Sequence, residues 1–171
     1  MSNLTIRPIN TGFVTMIPKQ YLYHHSAAAF YPDASDREEE YPVYTYLVEG
    51  GEKLLLVDTG MADTERADRY HHHGSRQPEG MAIAEQLAQI GYKPEDIDIV
   101  VFTHLHWDHC FYMEKFTNAE FYVNKKEYEF AMDPIPLYYK SYEAPELGIV
   151  RPFEGIEMKL VEGETEIMPG V

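Results

Sequence analysis

The chain has 171 residues and 44% hydrophobic content, a length that suits one domain and an apolar share large enough for a buried core. Its 29 Asp and Glu against 14 Lys and Arg give a formal charge of −15, which repels phosphate backbones and anionic lipid and excludes nucleic acid and membrane surfaces as expected partners. A single cysteine, Cys110, excludes an internal disulfide framework; with no secretory pattern in "MSNLTIRPINTGFVTMIPK" and no run of ~18 apolar residues, the expectation is a soluble protein of the cytoplasm.

In chain order, "DREEEY" (Asp36 to Tyr41) reads as a solvated acidic turn. From Val43 to Val48 the residues alternate in the period-2 pattern of a strand, and Gly50-Gly51 supplies a hairpin turn. Leu54 to Val57 is apolar on both faces, which predicts a central strand ending at Asp58-Thr59-Gly60. Met61 to Gly80 is polar and irregular, with His71, His72 and His73 read as solvated loop. Ile83, Leu87 and Ile90 fall at i, i+4, i+7 and predict a helix stopped by Gly91. "IDIVVF" predicts a second buried strand, and "AEFYVNKKEYEFAMD" a short strand followed by a short helix that stops before Pro134. Pro134 to Phe153 is rich in Pro and Tyr and reads as an irregular excursion, followed by weakly alternating "IEMKLV". This order favours a layered α/β domain, with no internal repeat and no interdomain linker.

The chemistry concentrates in "FTHLHWDHC", directly after the second buried strand. His104 and His106 sit at i, i+2, so on extended backbone both side chains point to one side, a natural half of a tetrahedral metal site. Asp108 follows in the same phase, and His109 turns in once the chain bends, which suits a second cation. No CxxC pair, Walker loop or GxGxxG offers a competing zinc-ribbon, nucleotide or dinucleotide reading.

"HLHWDH" is similar to the HxHxDH motif of the metallo-β-lactamase-fold hydrolases, and "LLLVDTG" resembles the strand-and-turn motif that precedes it. The "GYKPEDIDIVVFTHLHWDH" approach and the "NKKEYEFAMD" helix look most like the N-acyl homoserine lactonase branch; the resemblance runs from about Tyr41 to Val171. It implies a four-layer αββα sandwich, of which this chain supplies the first half or somewhat more, within a single domain over residues 1–171. It implies two divalent ions, zinc first and Fe, Mn or Co as alternatives, with His104 and His106 on the first metal, Asp108 and His109 on the second, and Asp58 orienting a ligand from behind. The implied chemistry is a hydroxide held between two cations attacking a lactone or ester carbonyl, with Asp108 passing a proton to the leaving group.

A third histidine for the first metal, a bridging aspartate and a final histidine belong to the family pattern beyond "EGETEIMPGV". His24, His25, His71, His72 and His73 all lie upstream and do not match them, so a complementary C-terminal polypeptide, or less readily a second copy of the chain, is the expected partner. Cys110 reads as a buried small residue beside the site, with metal ligation the weaker alternative. Trp107 either walls an apolar substrate pocket or packs in the core; Tyr138 and Tyr139, with Tyr142, either pack their proline-rich loop or line a pocket mouth for an acyl chain. Two rivals stand beside the lactonase reading: a thioester hydrolase resembling glyoxalase II, and a non-catalytic metal-binding fragment.

Overall fold

The computed structural model describes residues 3–18, 33 and 35–171, so His24 and His25 lie outside the described residues. Six strands form one mixed sheet in sequential order: β1 (Thr5–Met16), β2 (Glu39–Glu49), β3 (Leu55–Val57), β4 (Ile99–Val101), β5 (Glu120–Asn124) and β6 (Met158–Val161). β1, β2 and β3 pair antiparallel, and β3 to β6 pair parallel, each parallel step crossing over through helical or irregular chain.

The hairpin between β2 and β3 turns where Gly50 takes φ +91, and its register sets Leu47 opposite Leu56 and Val48 opposite Leu55. β3 is central, as its two-sided apolarity predicts. Leu56 packs beneath α2 (Ile83–Gln89) with Ile83, Leu87, Val100 and Phe116, while Leu55 faces the other way with Val48, Ile99 and Met168. Gly91 ends the helical stretch at φ +87, the expected stop. α3 (Lys125–Met132) follows β5 directly, its first turn capped by Asn124, whose side chain accepts from Lys126 N.

Three expectations are corrected. Met61 to Gly80 is not wholly irregular: Asp63 caps α1 (Thr64–Tyr70) by accepting from Arg66 N at 3.0 Å. Only Ala67 of that helix is buried, so it carries no apolar period to read. Asp36 to Tyr41 is not only a turn, because β2 begins at Glu39, and Glu40 is drawn into the sheet edge by Arg76 at 2.6 Å. The three consecutive histidines are not uniformly solvated: the His71 side chain is 1% exposed and that of His73 87%. β1 was hidden by Pro8 and by Gly12, which sits where the β1–β2 register shifts. No helix among the described residues is long and apolar enough to cross a membrane.

Candidate metal centre

β3 and β4 run side by side and parallel, so they deliver their carboxyl ends to the same edge, where open α/β sheets place their ligands. Asp58 follows β3 with φ +60, a left-handed conformation that Asp tolerates better than most residues. Its backbone N donates to Val101 O at 2.9 Å, Thr59 N to His109 O at 2.7 Å, and Phe111 N to Gly60 O at 3.1 Å. These bonds stitch the Asp58-Thr59-Gly60 turn to the histidine loop that follows β4.

The Asp58 side chain, 3% exposed, organises that loop. It accepts from Thr103 N, Thr103 Oγ1 and His109 Nδ1, each at 2.8 Å. The Thr103 hydroxyl gives its proton to the carboxylate, so at 3.0 Å its oxygen accepts from His104 Nδ1. Both imidazoles therefore carry a proton on Nδ1 and present the Nε2 lone pair, the form in which histidine ligates metals. The His104 ring centroid lies 4.4 Å from that of His106 and 4.0 Å from that of His109, and His109 Nε2 is 3.6 Å from Asp108 Oδ2. The sequence cluster is thus brought together: two imidazoles side by side, a third against them, and a carboxylate at the edge.

Electrostatics divide the cluster. Burial and the neighbouring His109 hold His104 below the ordinary imidazole value, and burial with His104 lowers His106 to about 4, so both rings are neutral at pH 7. For His109 burial works against the charge, but the Asp58 hydrogen bond and the Asp108 and Asp58 charges outweigh it, and its value is raised. The same two carboxylates would favour a cation at this corner.

Neighbouring elements close around the loop. Glu127 of α3 accepts from Leu105 N at 2.9 Å, between His104 and His106. Tyr142 meets the His106 ring edge-on at 4.6 Å, and Tyr138 lies 6.5 Å away, so the Tyr-rich excursion does reach the site. Tyr139 is half-buried, and burial and Glu146 raise its phenol. Trp107 is 4% exposed and packs with Val14, Val43, Met61, Ala62 and Ala67, its backbone N donating to Ser141 O at 2.9 Å. Cys110 is fully buried, its Sγ 3.4 Å from Leu105 O, and burial pushes the thiol well up, which is unlike a thiolate ligand. A cleft of about 330 Å3 opens beside Asp58, Asp108 and His109, walled by Val14, Met16, Tyr41 and Tyr46.

Thr103 and Glu127 were missed in sequence. Thr103 adjoins the motif and its hydroxyl is legible only once Asp58 is known to lie beneath it; Glu127 is 22 residues away and nothing local marks it. The donor set fits divalent cations: neutral imidazoles, a carboxylate, and nitrogen atoms already oriented by acceptors behind them. Among the described residues no three His, Cys, Asp or Glu side chains are grouped so as to hold a metal ion, so these donors do not by themselves complete a site.

The sequence profile of the metallo-beta-lactamase superfamily matches residues 39–170. The chain is 32% identical over 138 residues to the N-acyl homoserine lactonase AiiA of Bacillus thuringiensis subsp. kurstaki, covering 76% of this chain and 51% of that protein. Over 76 residues it is 44% identical to a probable metallo-hydrolase of Methanocaldococcus jannaschii, covering 44% of this chain and 30% of that one. Among solved structures, an N-acyl homoserine lactone hydrolase with N-hexanoyl-L-homoserine bound at its catalytic metal centre superposes with TM-score 0.74 at 25% identity, over 99% of this chain and 64% of that one. A probable metal-dependent hydrolase from Staphylococcus aureus shares the fold, with TM-score 0.77 at 21% identity over 99% of this chain and 63% of that one. The chain spans about half the length of the curated relatives it matches. On the matched profile and on a histidine loop seated at the carboxyl ends of two parallel strands, the chain belongs to the metallo-beta-lactamase superfamily.

Proposed function

We propose that this chain carries the His104-His106 and Asp108-His109 half-sites of a metal-dependent hydrolase that opens N-acyl homoserine lactones or closely related esters. The observation that carries the reading is the orientation of His104 and His109 by Thr103 and Asp58, which puts the proton of each ring on Nδ1 and leaves Nε2 as the ligating nitrogen. The likeness to the B. thuringiensis lactonase supports the substrate class. His104 and His106 would hold one ion and Asp108 and His109 another; zinc suits the nitrogen-rich pair best, and Fe, Mn and Co suit the same donors.

Bound divalent metal supplies Lewis acidity toward a carbonyl oxygen and an acidified water. Asp58 and Thr103 hold the imidazoles in their ligating tautomers. Asp108, partly exposed beside the cleft, would take a proton from the attacking water and pass it to the departing ring oxygen. The cleft walls Val14, Met16, Tyr41 and Tyr46 offer apolar surface to an acyl chain and exclude water from it. Tyr138, 39% exposed near His106, offers further apolar surface; Trp107 supports the loop from beneath.

We take residues 1–171 as one folding unit on one sheet, placed in the cytoplasm on the strength of its lone, buried thiol. Tyr44 and Tyr46, each 40% exposed on the Val48 face of the sheet, support a complementary polypeptide segment covering that face. Denaturing electrophoresis of an active preparation is expected to show a second band; activity from a single band refutes the segment.

Assay against an N-acyl homoserine lactone and a glutathione thioester in parallel tests the substrate class. Zinc-dependent lactone opening, lost together with zinc uptake in His106→Ala, is the expected result. Turnover of the thioester alone transfers the reading to the glyoxalase II-like rival. Full zinc content and undiminished turnover in His106→Ala remove His106 from the site.

A further inference from the structure

A buried assembly lies beneath the histidine loop, and none of its members belongs to the motif. Glu143 is wholly buried, and it holds φ +48 although it is not glycine. Arg66 of α1 grips its carboxylate with both arms, Nε at 2.8 Å and Nη2 at 2.5 Å, and donates again from Nη2 to Val150 O at 2.6 Å. His71 Nε2 lies 2.8 Å from Glu143 Oε1, the oxygen that also accepts from Arg66 Nε. A carboxylate accepts there, so the imidazole proton sits on Nε2; Nδ1 is buried with no hydrogen-bond partner among the described residues. Leaving that nitrogen unpaired costs free energy, so the ring is kept in place by its other contacts.

The ring lies flat against Trp107: centroids are 4.1 Å apart and the planes differ by 4°. Trp107 stands between His106 and Asp108, so its placement sets where both half-sites begin. The same short segment that delivers Glu143 touches the loop twice more, through Ser141 O on Trp107 N and Tyr142 on the His106 ring. The loop is therefore held from beneath by a chain of contacts running Arg66, Glu143, His71, Trp107.

We propose that Glu143 and His71 are positioning residues for the metal loop: Glu143 fixes His71, and the His71 ring clamps the Trp107 indole so that His106 and Asp108 keep their spacing. The inference rests on the metal-site reading above but makes a claim of its own about the apo loop. It separates the ring of His71, which does the clamping, from its hydrogen bond, which aims the ring.

Trp107 is the single tryptophan in the chain, so its fluorescence reports the clamp without metal or turnover. His71→Gln keeps a donor for Glu143 and loses the ring; His71→Phe keeps a ring and loses the donor. Acrylamide quenching of Trp107 is expected to rise about threefold in His71→Gln. Cobalt(II) uptake by that variant is expected to weaken about tenfold with displaced visible bands, the size of effect seen when groups behind metal ligands are removed. His71→Phe is expected to recover most of both. Unchanged quenching and unchanged cobalt bands in His71→Gln overturn the proposal. A changed quenching with no cobalt uptake even in the parent supports the clamp and instead overturns the metal-site reading. The parent alone gives a second measurement should His71→Gln not fold: stacking at this distance moves the indole proton resonances upfield, and unshifted resonances overturn the clamp.

Discussion

At the scale of single residues, Asp58 does the most with one side chain. It feeds His109 directly and His104 through the Thr103 hydroxyl, so one carboxylate fixes two tautomers. Asp58→Asn isolates that function, because Asn accepts the same φ +60 while its amide nitrogen cannot accept from His109. Zinc affinity is expected to fall about 10–100-fold, measured by competition with a chelating dye; an unchanged affinity would show that the imidazoles orient themselves. How much of this was legible in sequence depends on distance along the chain. The four donors lie within six residues, so alternation and a bend sufficed to group them. Asp58 came from the resemblance of its turn to a known motif. Glu127 and Glu143 lie 22 and 72 positions from the residues they hold, Leu105 and His71, and no local pattern announces a contact of that span.

At the scale of elements, hydrophobic period decided what was readable. β3 and α2 carry a strong apolar pattern and were legible; α1 buries one residue and β1 carries a proline and a bulge, and neither was. The turn after β3 shows why a short signal can outweigh a period. Gly60 has φ +87, and a Cβ built on it would lie 2.7 Å from Thr11 Oγ1 and Cγ2, while its carbonyl receives Phe111 N from the histidine loop. Gly60→Ala is expected to cost about 2–4 kcal/mol, combining left-handed strain with the clash, and to loosen metal binding as well. Gly148→Ala, at φ +69 with nothing within 4 Å, is expected to cost about 1–2 kcal/mol from strain alone. Equal urea midpoints for the two variants would remove the Thr11 contact from the account. The tie between α1 and the Tyr-rich excursion has a pH signature. Burial by itself would raise Glu143, but the Arg66 and His71 bonds outweigh it and hold it below the ordinary value of 4.5. Its stabilising contribution is present above that value and fades as pH falls through the lowered one. Glu143→Gln is expected to cost about 2–3 kcal/mol near neutrality. The gap in thermal midpoint between variant and parent should narrow as pH falls below the ordinary value of 4.5; a constant gap would show that charge is not what Glu143 contributes.

At the scale of the whole molecule, the histidine loop is where the elements meet. The end of β3 bonds it through Asp58, α3 through Glu127, and the excursion through Ser141 and Tyr142, while α1 and its trailing histidine brace it from below. A cation held by that loop is therefore linked to the stability of the sheet and helices together, and the −15 charge adds a general attraction for it. Mass action fixes the size: zinc at one hundred times its dissociation constant adds about 2.7 kcal/mol for one site. In a chain of this length that corresponds to a rise in Tm of roughly 5–10 °C. The unfolded chain holds the same histidines, including His71 to His73, and its own affinity for zinc subtracts from the shift. The decisive comparison is therefore between parent and His106→Ala, whose unfolded chains are nearly equivalent as ligands. The parent's midpoint is expected to climb with zinc and fall back with chelator, while that of His106→Ala stays within about 2 °C. A shift of equal size in both would place the bound ion somewhere other than the loop that gathers these elements.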